Sequence, residues 1–136
     1  MRLVFVTKET LGEWFEKAKP LIQRIASDSR GRLSETTIRA SLESGDYWLA
    51  VTDPVRACLI AQPVTWETGT RELRIIGLVG SGMRDWLHLE SQITARARGF
   101  DLFSAGARPG WARVLRNRGW TLTHVTLEKS LDHADT

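Results

Sequence analysis

The sequence predicts an α/β fold: a mixed, mostly antiparallel central sheet of about six to seven strands, flanked by four helices. Three observations carry this expectation. Apolar residues recur in blocks at spacings of either two or three to four. Three strand-like runs follow one another between residues 47 and 79, separated by turn residues, which reads as an antiparallel meander. A strand–helix–strand unit then spans residues 72–105 and requires a parallel crossover.

Residues 2–6 suit a short first strand ending at Thr7. Thr10-Leu11-Gly12-Glu13 has the form of a capping box, in which the Thr10 hydroxyl accepts from the amide of residue 13 and Glu13 reaches back. Leu11, Phe15, Ala18, Ile22 and Ile25 follow at helical spacing. Pro20 lacks a donor and crowds the previous turn, so a kink or break is expected near Lys19. After a polar loop containing Gly31, Ser34 is the expected N-cap of a second helix, which presents Ile38 and Leu42 and stops at Gly45.

Tyr47 to Val51 is the next expected strand, followed by Val55 to Trp66 and by Glu72 to Val79. Pro63 cannot donate to a ladder, which implies an edge or a bulge. Gly80-Ser81-Gly82 opens a loop into a helix over 84–98, with Trp86, Leu89, Ile93 and Ala97 on one side and Gly99 at its end. Phe100 to Ala105 reads as a short strand. Pro109 suits the first turn of a fourth helix, which shows Trp111, Val114 and Leu115 and stops at Gly119. Trp120 to Thr123 and Val125 to Leu131 read as the last strands, before a polar tail at 132–136.

A chain of 136 residues points to one domain, placed at residues 2–131, long enough to bury about two-thirds of its unfolded surface without staples. The single Cys58 excludes an intrachain disulfide, and its apolar neighbours mark it as a core thiol. The three histidines have no metal-ligand spacing, so no metal is expected. Leu3-Val4-Phe5-Val6 is too short for a secretory signal, and no apolar run is long enough to span a membrane. A cytoplasmic protein follows from these features. The formal charge of +3 permits an anionic ligand without naming one. Arginines at 96, 98, 108, 113, 116 and 118 ask either for plain solvation or for a phosphate; no nucleic-acid motif accompanies them, so nucleic acid is not the expected partner.

The order of elements resembles the GNAT (N-acetyltransferase) superfamily over nearly the whole chain. The glycine-rich turn after the fourth strand, the segment Gly106 to Leu115 leading to Arg118-Gly119-Trp120, and the ending Val125-Thr126-Leu127-Glu128-Lys129-Ser130-Leu131 fall at matching places. The last two also resemble small GNAT-like proteins of tailed bacteriophages. The resemblance implies acetyl-CoA as cofactor and acyl transfer to an amine of unknown identity. It assigns coenzyme A to Val79, Gly80, Ser81, Gly82, Met83, Arg84 and Trp111, with backbone amides at a helix N-terminus cradling the pyrophosphate. From the residues alone, Gly80-Ser81-Gly82 equally serves as a bare turn. Glu72 is the candidate base, with Glu67 and His124 behind it; Tyr47 is the only tyrosine available as an acid, and Ser104 stands where many relatives carry Asn.

Three departures from the family pattern matter. Gly77 occupies the position where the phosphate loop begins with Gln or Arg, the fourth helix offers Trp111 in place of Tyr, and Ser104 replaces Asn. They open an alternative: a catalytically degenerate GNAT-fold binding or structural module of phage or prophage origin, acting in a virion or on a host protein.

Overall fold

A computed structural model of the protein describes residues 2–80, 83–106 and 109–131. The expectations at Ser81, Gly82, Arg108 and the 132–136 tail lie outside the described residues, as do the side chains of Met83 and Arg84. The chain divides into two units, Met1–Gly106 and Ala107–Thr136.

The first unit runs β1 (Arg2–Phe5), α1 (Leu11–Asp28), α2 (Glu35–Ser44), β2 (Trp48–Asp53), β3 (Cys58–Thr65), β4 (Arg71–Val79), α3 (Met83–Arg96) and β5 (Leu102–Ala105). The described residues form one five-stranded sheet in sequence order. Its first three pairings are antiparallel, and β4 pairs with β5 in parallel, as the crossover requires.

Alternation along the strands gives each face its own helices. One face carries Leu49, Val51, Cys58, Ile60 and Val79, which pack with the buried stripe of α1 and with Ile38 and Leu42 of α2. Burial of side chains the size of Phe15 and Ile22 contributes about 1.5–3 kcal/mol each. Ala50, Leu59, Ala61 and Leu73 are buried on the opposite face, together with Trp86, Leu89 and Ile93 of α3 and Ala97 just after it. The Arg96 guanidinium of α3 lies over the Phe5 and Trp48 rings and fixes that helix to this face.

Local rules held at Ser34, whose hydroxyl accepts from the Thr37 amide in a capping box, and at Gly45, which ends α2 with φ +88°. They failed at Thr10. Its hydroxyl turns back to Thr7, accepting that residue's amide at 3.1 Å, while Glu13 takes the Lys17 ammonium at 3.0 Å. A local turn outcompeted the helix end for the hydroxyl. The break expected at Pro20 is absent: α1 continues through it, because its buried stripe lies on both sides of the proline and packing outweighs the lost hydrogen bond.

Pro63 sits where β3 is locally an edge, since β2 pairs only with Cys58–Ala61. A bulge lies beside it. Ile60 opposes Gly77 while Ala61 opposes Ile75, which leaves Ile76 as the extra residue on β4.

The second unit holds α4 (Pro109–Leu115), starting at the expected proline, then a 3-10 turn at Arg116–Arg118 and Gly119 at φ +89°. The two final strands expected at 120–123 and 125–131 are not present: this segment carries no sheet pairing. Leu122, Val125, Leu127 and Leu131 are all exposed, Leu127 at 90%. Alternation offers a face, but a strand exists only where a neighbour completes its ladder. The count of six to seven strands therefore falls to five among the described residues.

Candidate active site

The parallel pairing of β4 with β5 begins at Glu72↔Leu102 and ends at Ile75↔Ala105. Beyond it β4 continues through Ile76, Gly77, Leu78 and Val79, where β3 is its one strand neighbour among the described residues. The sheet thus opens at its carboxyl-terminal end on one side of β4. The bulge at Ile76 falls at the point where β5 stops, and bulges bend the strand that carries them. Leu78 is exposed along this opening, and α3 starts shortly after it at Met83.

Two glycines hold this stretch of β4. A Cβ on Gly77 would lie 2.6 Å from Cγ2 of Ile25, so α1 packs directly onto the strand here. That contact explains why no Gln or Arg stands at this position. Gly80 has φ +152°, and a Cβ there would fall 2.2 Å from the Ala57 Cβ and 2.9 Å from the Arg56 carbonyl oxygen. The other side of that contact is pinned by Thr52. Its fully buried hydroxyl accepts from the Arg56 and Ala57 amides at 3.0 and 3.1 Å and donates to the Pro54 carbonyl at 2.9 Å.

The paired half of β4 is different in character. Glu72 faces the same side as Arg74, and its side chain is only 14% exposed. The Ser104 hydroxyl donates to Oε2 at 2.6 Å, the length of a hydroxyl bond to an ionised carboxylate. The Trp66 indole donates to Oε1 at 3.1 Å, and Arg74 Nε stands 3.8 Å from Oε2. Register explains the cluster. Arg74 opposes Ser104 on β5 and Gln62 on β3, so Glu72 meets Ser104 on the diagonal. The Trp66–Thr70 turn, closed by the Trp66 amide on the Thr70 carbonyl at 2.9 Å, swings the indole over the same carboxylate.

The structure therefore brings Glu72 and Ser104 into contact, 32 residues apart in sequence. It does not bring Tyr47 to them. Tyr47 precedes β2, two strands from β4 and roughly 10 Å away by interstrand spacing. It lines a separate cleft with Trp48 and Arg96. Trp111 is half-buried in α4 of the second unit, and His124 is exposed, with Nδ1 3.0 Å from the Thr123 hydroxyl. Sequence reading missed Trp66. The expected turn at 67–70 hides it, because four loop residues would put Trp66 on the face away from Glu72; Trp66 opposes Thr70 across a three-residue loop, which sets the indole on the Glu72 face, diagonally across from it.

Cys58 is fully buried, and burial alone pushes its thiol up to about 12, far from a nucleophile's range. No helix among the described residues is long and apolar enough to cross a membrane.

No family model and no curated protein matches the sequence. Solved structures do match the fold. A probable acetyltransferase shares 16% identity at a TM-score of 0.68, covering 97% of this chain and 100% of its own. A ribosomal-protein-alanine N-acetyltransferase from Brucella melitensis biovar Abortus 2308 shares 12% identity at 0.65, covering 97% and 100%. A predicted acetyltransferase from Clostridium acetobutylicum, solved with acetyl-CoA, shares 11% at 0.60, covering 99% and 97%. Likeness at these identities establishes architecture, and on it the chain has the GNAT-type acetyltransferase fold.

Proposed function

We propose that the protein is an acetyl-CoA-dependent N-acetyltransferase acting on an amine. The observation that carries this reading is the opening of the sheet where β5 ends at Ala105 while β4 runs on to Val79. The backbone groups of residues 76–79 on that side have no strand partner among the described residues, and such groups ask for a ligand or for water. A pantetheine arm carries amides that complete such a ladder, and the α3 N-terminus behind Gly80 offers amides and a positive dipole end to a pyrophosphate. Gly80, Ser81, Gly82, Met83 and Arg84 are the residues assigned to that phosphate end, with Val79 at the strand end.

Acetyl-CoA, when bound, would supply the thioester carbonyl for attack by the amine, the C–S bond breaking as the amide C–N bond forms and coenzyme A leaving as its thiol. A β4 amide in the open stretch polarises that carbonyl as an oxyanion donor. Glu72 takes the amine proton. It stands four residues before the opening, roughly 13 Å along the strand, so the proton travels through water. Ser104 and Trp66 hold its two oxygens in place. Tyr47 lies too far across the sheet to be the general acid under this reading.

The four exposed apolar residues of 120–131 favour a second reading, a noncatalytic binding module of phage or prophage origin whose protein partner covers that segment. Calorimetry with acetyl-CoA and coenzyme A separates the two. Micromolar binding supports the enzyme. In an amine-acceptor assay Glu72→Gln then lowers the rate by roughly 10²-fold or more with binding of acetyl-CoA retained. Absence of binding at millimolar ligand retires the enzyme and leaves the module.

A further inference from the structure

A second cleft, of about 230 Å³, lies in the first unit, away from the opening beside β5. It forms where the end of β1, the start of α1, the end of α2, the start of β2 and the end of α3 converge. Phe5, Tyr47 and Trp48 supply aromatic walls, Leu42 an apolar one, and Lys8 and Arg96 reach the same space.

The cleft's lining holds two cations, Lys8 and Arg96, and one carboxylate, Glu43, which Arg39 already engages from outside the lining. Arg96 is held over two rings, its guanidinium carbon 5.5 Å from the Phe5 centroid and 5.7 Å from the Trp48 centroid. Trp48 is braced in turn by an edge contact with Phe100 at 5.6 Å. Among the described residues, neither Arg96 nor Lys8 pairs with a carboxylate. The acceptors nearby are already engaged. Glu43 takes Arg39 at 3.1 Å, Asp46 takes the Ser44 hydroxyl at 2.9 Å, and the Leu42 and Ser41 carbonyls accept the Gly45 and Tyr47 amides. The Tyr47 hydroxyl has no hydrogen-bond partner among the described residues. What remains is a cation held over two rings, a second cation, and a phenol, all lining one cleft with Leu11 and Leu42.

We propose that this cleft is a binding site for a small aromatic carboxylate. The ring lies among Phe5, Tyr47 and Trp48, and the carboxylate meets Arg96, Lys8 and the Tyr47 hydroxyl. Stacking holds Arg96 without neutralising it, so the ligand meets a pre-set charge and loses little in ordering it. Sulfonates and aliphatic acids are poorer matches, because one is the wrong shape for a planar two-donor grip and the other leaves the ring surfaces unfilled.

The test is amide chemical-shift mapping of the full chain with phenylacetate and, as a charge-free match, phenylacetamide. Phenylacetate shifts Thr7, Ser44, Tyr47, Trp48 and Leu49, and phenylacetamide binds at least about tenfold more weakly. Arg96→Gln and, separately, the surface change Lys8→Gln each weaken phenylacetate by about tenfold, whereas Arg24→Gln on the far side of α1 leaves it unchanged. The Lys8 variant keeps the test decisive if the Arg96 variant unfolds. No shift at ~10 mM phenylacetate, equal binding of the amide, or shifts confined to other surfaces overturns the proposal.

Discussion

The two ends of β4 are built on opposite plans. At its start, strands on both sides fix the register, and the useful groups are side chains: Glu72 against Ser104 and Trp66. At its end only β3 remains among the described residues, side chains are stripped away at Gly77 and Gly80, and the useful groups are backbone. One strand thus offers a held carboxylate at one end and an unfilled ladder at the other. The contrast teaches how each end tolerates change. The first end is tuned by exchanging side chains at modest cost. The second is fixed by close approach, of the Ile25 side chain to Gly77 and of residues 56–57 to Gly80, where any added atom must displace its neighbour.

The largest effect expected from this contrast is at Gly80. Gly80→Ala drives a methyl into Ala57 on a backbone that L-residues avoid, and lowers stability by about 3 kcal/mol or more, read as a fall in urea midpoint at unchanged slope. A midpoint within error of the parent breaks the comparison. At the other end, Ser104→Ala removes one hydroxyl bond to a carboxylate and costs about 1.5–2 kcal/mol. In the acyltransferase reading it also lowers kcat by about tenfold with KM for the amine unchanged, and Ser104→Thr restores most of the rate. A large loss of stability with Ser104→Ala makes the first end as rigid as the second.

The smallest effect concerns Cys58, which pairs with Val79 at the glycine end. Its folded thiol holds its proton up to about 12, whereas the unfolded thiol releases it near 9.0. Above pH 9 the native state therefore binds more protons than the unfolded state, and stability falls as pH rises through that window. Titrating the urea midpoint from pH 8 to 11 checks the slope against a Cys58→Ala variant, in which this component is gone. At pH 8 a disulfide-exchange reagent leaves the native thiol unlabelled and labels it fully in denaturant.

Most of the first unit was legible in the sequence, because its signals are local and repeated. The stripe of α1, the Ser34 box, the Gly45 stop and the crossover from β4 to β5 each rest on spacing or on one cap. What could not be read required knowing a neighbour. Thr10 offered a correct capping pattern, yet Thr7 was nearer to its hydroxyl. Residues 120–131 alternate well enough for strands, but alternation does not say what they pair with. The Glu72–Ser104 bond depends on the register of a parallel pair separated by a whole helix, and no local pattern encodes that offset. Tyr47 was drawn toward catalysis by being the only tyrosine, a compositional argument that geometry does not honour.

The bulge at Ile76 carries a consequence for the way this strand tolerates changes of length. A deletion inside a strand ordinarily turns every later residue onto the wrong face. Here the extra residue has already broken the alternation: Glu72 and Val79 face the same side although seven positions separate them. Losing Ile76 would bring the two halves into phase with neither half inverted, and Val79 would still meet Cys58. What would vanish is the bend at the place where β4 leaves β5. In the history of such a chain, a single codon lost at this point is a path from a bent strand to a straight one, with the same residues facing the same neighbours.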